Sequence, residues 1–128
     1  MTPSRFWRED MDVLIIILAG VILASAGQVF WKVGMNSIGQ VEDFAPGKVA
    51  SLFLNPYILT GLAMYGLSTI FWLAALSKKD LSFVYPFIAL TYIFVLILSH
   101  LVLKEQIGAY RMIGNLIILI GLIIIFRT

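Results

Sequence analysis

Charged residues along this chain are bunched, and between the bunches lie four uncharged runs, Val13–Trp31, Val49–Ser77, Leu81–Leu103 and Met112–Phe126. A helix needs about 20 mostly apolar residues to cross the hydrocarbon of a bilayer. Four transmembrane helices are therefore predicted, over residues 12–34, 56–77, 81–103 and 107–126. The last run is short, but the uncharged Ile107–Tyr110 extends it across Arg111, whose long side chain reaches the interface. The fold class is an all-α membrane protein, a small four-helix bundle forming a single domain over residues 1–128.

The connections fix the order of packing. Met1–Asp10 reads as a short polar arm at the interface, with Asp12 at the mouth of helix one. Gly34–Asn55 is the one long loop; its KVASLFLNP stretch predicts a short helix lying in the membrane interface. Asn55–Pro56 marks a helix entrance, since proline is tolerated in a first turn. The turn SKKD is so short that helices two and three form an antiparallel hairpin, with Asp80 or Ser82 as N-cap. LKEQIGAYR makes a similarly tight third turn.

Composition supports lipid as the solvent. At 128 residues, 61% hydrophobic and 12% charged, with a mean hydropathy of +1.00, the chain has more apolar surface than so small a soluble domain buries. The competing reading of the first run is a cleaved signal peptide; the run's length argues against it. A net charge of +2, thinly spread, gives no nucleic-acid footprint. The absence of cysteine excludes disulfides, c-type haem attachment and thiolate metal sites. No nucleophile–base set, metal-ligand cluster or phosphate-cradling glycine loop is visible, so neither an enzyme nor a cofactor is expected.

Polar groups within the spans carry the functional signal. Ser25, Gln28 and Lys32 are spaced by three and four residues, which stacks them on one face of helix one, and Asn36 continues the line. Helix two repeats the pattern with Gly61, Tyr65, Ser68 and Trp72, and helix three with Ser82, Tyr85, Ala89, Tyr92 and Ser99. Such groups avoid lipid and are expected to face a bundle interior or cavity. Bland roles compete with this one. Trp31 and Tyr57 fit an interfacial aromatic belt, and His100 an interface. Gly114 and Gly121, seven apart, fit a helix–helix seam better than a substrate site. Pro86 fits a gate and a structural bend equally. Lys32 fits snorkelling as well as a site.

The stretches GQVFWK and GLAMYGLSTIFWLAALSKKDLSFVYPFIALTYIFVLILSHLVLKEQIGAYRMIGNLIILIGLIII resemble the four-helix members of the drug/metabolite transporter superfamily. The chain looks most like the small single-EamA-type subunits proposed to flip undecaprenyl-phosphate-linked aminoarabinose across the bacterial inner membrane. AGQ followed by Lys32, Tyr85–Pro86 and LKEQIGAYRMIG carry that likeness most specifically. More distantly it is similar to the small multidrug resistance exporters, which share a glycine five residues before a lysine, as Gly27 and Lys32 stand here. Their essential glutamate, three residues before that glycine, is replaced by Ala24. No Asp or Glu lies within the four uncharged runs, which argues against proton-coupled export of a cationic drug. The likeness extends the Gly114–Gly121 spacing to a dimer seam.

The expected substrate is amphipathic. Lys32 supplies a charge and Gln28 a neutral donor for the phosphate of a polyprenyl-phosphate glycolipid, with Ser25 on the same face. Tyr65, Trp72, Tyr85 and Tyr92 offer ring faces and hydroxyls to the sugar, while Glu105 and Arg111 are expected to pair and brace helices three and four. Four short helices enclose little volume, so a homodimer, or a heterodimer with a similar subunit, is expected, with membrane lipid around it. A small-molecule or cation exporter and a non-transporting subunit of a glycolipid-modifying complex remain the alternatives. Positive charges balance closely: Arg5, Arg8, Lys78, Lys79 and Arg127 on one side, Lys32, Lys48, Lys104 and Arg111 on the other. Leaving out Lys32 as intramembrane tips both termini to the cytoplasm.

Overall fold

The computed structural model describes the backbone of residues 3–127 and the side chains of residues 8–127. In chain order the elements are α1 (Pro3–Ile38), α2 (Pro46–Leu54), α3 (Pro56–Leu76), α4 (Leu81–Val84), a 3-10 segment (Tyr85–Ala89), α5 (Leu90–Val102) and α6 (Ala109–Phe126), with no strand among the described residues. α4, the 3-10 segment and α5 run on as one span. Four spans are thus long and apolar enough to cross a membrane: Arg8–Ile38, Pro56–Leu76, Leu81–Val102 and Ala109–Phe126. This is the all-helical, four-span architecture that the hydrophobic runs predict, and α2 is the short helix of the first loop.

The polar arm expected before helix one is instead part of it. Its residues Met1 and Thr2 lie outside the described residues, but from Pro3 the chain is continuous helix for 36 residues, about 54 Å at 1.5 Å per residue. Nothing in SRFWREDMD breaks a helix, and Pro3 sits in the first turn, where its missing N–H costs nothing. α1 stops at Gly39, whose left-handed backbone (φ 92°) lets its N–H donate to the Met35 carbonyl at 2.8 Å. α3 begins as its Asn55–Pro56 entrance predicts. The Asn55 side chain accepts from the Tyr57 and Ile58 N–H groups at 2.9 and 3.3 Å, and donates to the Ser37 hydroxyl at 3.1 Å, tying the head of α3 to the tail of α1.

α1 and α3 are pressed together along glycines. A Cβ on Gly20 would meet Phe71 Cβ at 3.2 Å, one on Gly27 the Gly61 carbonyl at 2.8 Å, and one on Gly34 Ile58 Cγ1 at 2.7 Å. Partner numbers fall as α1 numbers rise, so the two helices are antiparallel. Between helices in lipid there is no hydrophobic drive, and close backbone approach supplies the dispersion that replaces it. The serines in this region need no cavity: Ser25 is fully buried and donates to the Val21 carbonyl at 2.7 Å, and the buried Ser68 donates to the Tyr65 carbonyl at 2.5 Å.

A second cluster gathers nearer the start of α1, where Val13, Ile17 and Val21 pack with Ala75, Val84, Phe87 and Leu122. Phe87 contacts Phe83 (centroids 5.4 Å apart) and Phe126 (6.3 Å, edge to face). Pro86 shapes this region by removing the N–H that would bond the Ser82 carbonyl, and the helix answers by tightening to 3-10 rather than continuing as α. Asp80 takes the N-cap position of α4, yet its side chain makes no capping hydrogen bond.

The third turn is built differently from its expected Glu105–Arg111 brace: among the described residues these two form no ion pair. Lys104 adopts a left-handed backbone (φ 56°) that folds Glu105 back over the end of α5. There the Glu105 N–H reaches the Ser99 carbonyl at 3.1 Å, and its carbonyl accepts from His100 Nδ1 at 3.1 Å.

Candidate functional site

The polar line on α1 runs from inside to outside. Ser25 is buried, Gln28 half-buried and Lys32 exposed, with Asn36 exposed beyond it. Steps of three and four residues advance such a line along the helix while keeping it on one face, so one end lies among packed helices and the other does not. The Gln28 amide makes no hydrogen bond to the described residues, and no carboxylate lies within ion-pair reach of Lys32 among them. An unpaired cation one turn from an unengaged amide can bind an anionic group that approaches from the membrane.

The line on α3 has a different setting. Gly61, Tyr65, Ser68 and Trp72 face α1 across the glycine seam rather than an open cavity. Tyr65 is half-buried and its ring lies 5.1 Å from that of Trp31. Trp72 is half-buried against the cluster around Val21. The line proposed for helix three is split. Ser99 is buried and donates to the Leu96 carbonyl at 2.9 Å, whereas Tyr85 and Tyr92 point outward, 62% and 57% exposed. Tyr92 and Ser99, seven residues apart on α5, share a face of that helix, so the split lies along the helix, beyond the 3-10 segment, rather than around it. Within one chain, then, Tyr85 and Tyr92 are not gathered with Lys32.

Three features escaped sequence reasoning. Trp31, read as a belt residue, lies across Gly61 in the α1–α3 seam, and its buried Nε1–H has no partner among the described residues. The recurrence of glycine at 20, 27 and 34, matched by small residues at 61, 68 and 75 on α3, was the available signal. Asp10, an unremarked acid, is buried and paired with Lys79 of the α3–α4 turn. Thr91 is buried on α5 with its hydroxyl on the Ile88 carbonyl. Gly114 and Gly121 differ from the glycines of the seam. A Cβ added at either would find nothing within 4 Å among the described residues, so no described helix presses on them.

Known proteins give this geometry a family. Residues 44–127 match the EamA-like transporter family. A probable 4-amino-4-deoxy-L-arabinose-phosphoundecaprenol flippase subunit ArnE of Pseudomonas savastanoi pv. phaseolicola is 27% identical over 107 residues, covering 84% of this chain and 90% of its own. The corresponding subunit ArnF of Shewanella sediminis is 29% identical over 126 residues (88% and 86%), and that of Erwinia tasmaniensis 35% identical over 91 residues (64% and 67%). No solved structure matches the chain. With four spans and relatives that are transporter subunits rather than enzymes, this is a multi-pass membrane transporter, and it belongs to the EamA-like transporter family.

Proposed function

We propose that the chain is one subunit of a flippase that moves a polyprenyl-phosphate-linked sugar across the bacterial inner membrane. The observation that carries this reading is Lys32, an exposed cation on a membrane-spanning helix with no acidic partner among the described residues, one turn beyond the unengaged amide of Gln28. A cation so exposed to lipid is costly unless an anion or the interface compensates it. A lipid phosphate is the anion that a bilayer supplies. The names of the relatives, flippase subunits for an aminoarabinose-phosphoundecaprenol, point to the same substrate class.

In this reading Lys32 holds the phosphate and Gln28 donates to it. Tyr65 and Trp72 meet the sugar when α1 and α3 part, and Ser25 joins the site only in that opened conformation. Tyr85 and Tyr92, which face outward, contribute from the side where a second, similar subunit docks on Gly114 and Gly121. The 3-10 segment at Pro86 is the bend about which α5 moves. The uncharged cores of the spans contain no carboxylate, and the buried Asp10 near the start of the first is engaged by Lys79, so a cation exporter is the weaker alternative. The test is reconstitution of the chain, alone and with a similar small subunit, in liposomes with a fluorescent polyprenyl-phosphate sugar. Transfer between leaflets that is lost in Lys32→Ala supports the reading. No transfer in either preparation identifies a non-transporting subunit.

A further inference from the structure

Beside the polar line of α1 runs a groove of about 400 Å³, walled by Ala26, Val29 and Val33 of α1 and by Leu98 and Val102 of α5. At the α3 side it is closed by the Phe30 and Tyr57 rings, stacked with centroids 6.4 Å apart. We infer that this groove holds the isoprenoid chain of a polyprenyl phosphate whose phosphate is bound at Lys32. The inference rests on the flippase reading and adds to it a second subsite with its own ligand chemistry.

The lining decides what can fill the groove. Water needs two to four polar partners to stay in a cavity, and here every wall but the Tyr57 ring is a hydrocarbon side chain. The space is therefore filled by hydrocarbon. Its neighbours on α1 decide which hydrocarbon. Val29 and Lys32 are three residues apart, so they lie about 60° from each other around the helix and one turn apart along it. Lys32 also directly precedes Val33. A chain lying on Val29 and Val33 thus ends beside an exposed ammonium that no described carboxylate reaches, and a chain that ends in phosphate complements both. A zwitterionic phospholipid, which brings its own cation to the same place, gains less from Lys32.

The experiment uses the full chain in nanodiscs with a polyprenyl phosphate, carrying no sugar, whose tail bears a diazirine. After irradiation, labelled peptides are mapped by mass spectrometry. The expected result is label concentrated on the peptides containing Val29–Val33 and Leu98–Val102. Unlabelled polyprenyl phosphate should displace it and phosphatidylethanolamine should not. Ala26→Trp, which fills the groove, should lower that labelling about tenfold, equivalent to about 1.4 kcal/mol of binding, and Leu98→Phe serves as a milder second filling. Label spread evenly over lipid-facing surfaces, concentrated on α6, or displaced equally by phosphatidylethanolamine overturns the inference, and the wild-type map alone is enough to show it. The two readings fail separately. Groove labelling without transfer between leaflets refutes transport and keeps the groove; transfer with label elsewhere refutes the groove and keeps transport.

Discussion

The carboxylate of Asp10, two turns into the described part of α1, is paired with the ammonium of Lys79 in the turn between α3 and α4. Both groups are largely shielded, with side chains 11% and 28% exposed, and the Lys79 ammonium also stands 5.5 Å over the Phe83 ring. The pair fastens the start of α1 to the end of the second span and keeps an acid tolerable on a helix that enters lipid. Asp10→Asn is expected to destabilise the chain by on the order of 1–3 kcal/mol, the loss of a charge-assisted contact between two shielded groups. Thermal unfolding in detergent checks it. The exchanged pair Asp10→Lys with Lys79→Asp should recover much of the loss, and a swap no better than the single variants would remove the pair from the account.

The glycine seam makes a contrast within one helix. Gly61→Ala drives a methyl into Trp31 and the Gly27 carbonyl, whereas Gly66 has nothing within 4 Å of the corresponding position. Gly61→Ala should therefore cost roughly 1–3 kcal/mol through overpacking. Gly66→Ala should be neutral or stabilise by up to about 1 kcal/mol, because alanine is the better helix former. Unfolding midpoints in the same nanodiscs decide this, and equal effects at the two positions would contradict the seam.

Lys32→Ala is expected to abolish transfer of a polyprenyl-phosphate sugar while leaving membrane abundance near wild type, since removing a charge eases insertion of a span. Gln28→Leu should weaken the same activity less severely, as it deletes a neutral donor and not the charge. Full activity of Lys32→Ala would leave snorkelling to the interface as the role of this lysine.

Gly114 and Gly121 offer a test of assembly that spares the single chain. Because no described helix presses on either, replacing both with leucine should leave the fold intact and break association with a second subunit. Crosslinking in membranes reads the association, and circular dichroism the fold. Unchanged crosslinking in the double variant moves the interface elsewhere.

A reporter fused at the C-terminus settles orientation. Signal from the cytoplasmic reporter alone is expected, from the slight excess of positive charge on the side of Lys78, Lys79 and Arg127. Periplasmic signal alone would reverse the direction of transport proposed for this chain.

The spans and the short α2 helix were legible because hydrophobic runs of bilayer length, bounded by charges, leave few alternatives. The facing of those spans was much less so. Ser25 and Ser68 look like cavity residues in the sequence, yet each hydroxyl is satisfied by a carbonyl of its own helix, a bond that no inter-helix pattern announces. In helices that are apolar all round, a seven-residue recurrence marks a seam without saying what it faces: at Gly20, Gly27 and Gly34 it faces α3, while at Gly114 and Gly121 it faces none of the described residues. The 3-10 segment was foreshadowed by Pro86, but its length depends on how many residues tighten, which proline alone does not determine.

The uneven attachment of α6 has a mechanical consequence. Near its C-terminus Leu122 is buried and Phe126 meets Phe83 and Phe87, whereas near its N-terminus Tyr110 is 92% exposed and Gly114 is uncrowded. The aromatic knot is thus a fulcrum and the Tyr110 end a free arm. A small rocking about Phe126 would swing Tyr110 through the largest arc in the helix, at the same membrane face as Lys32.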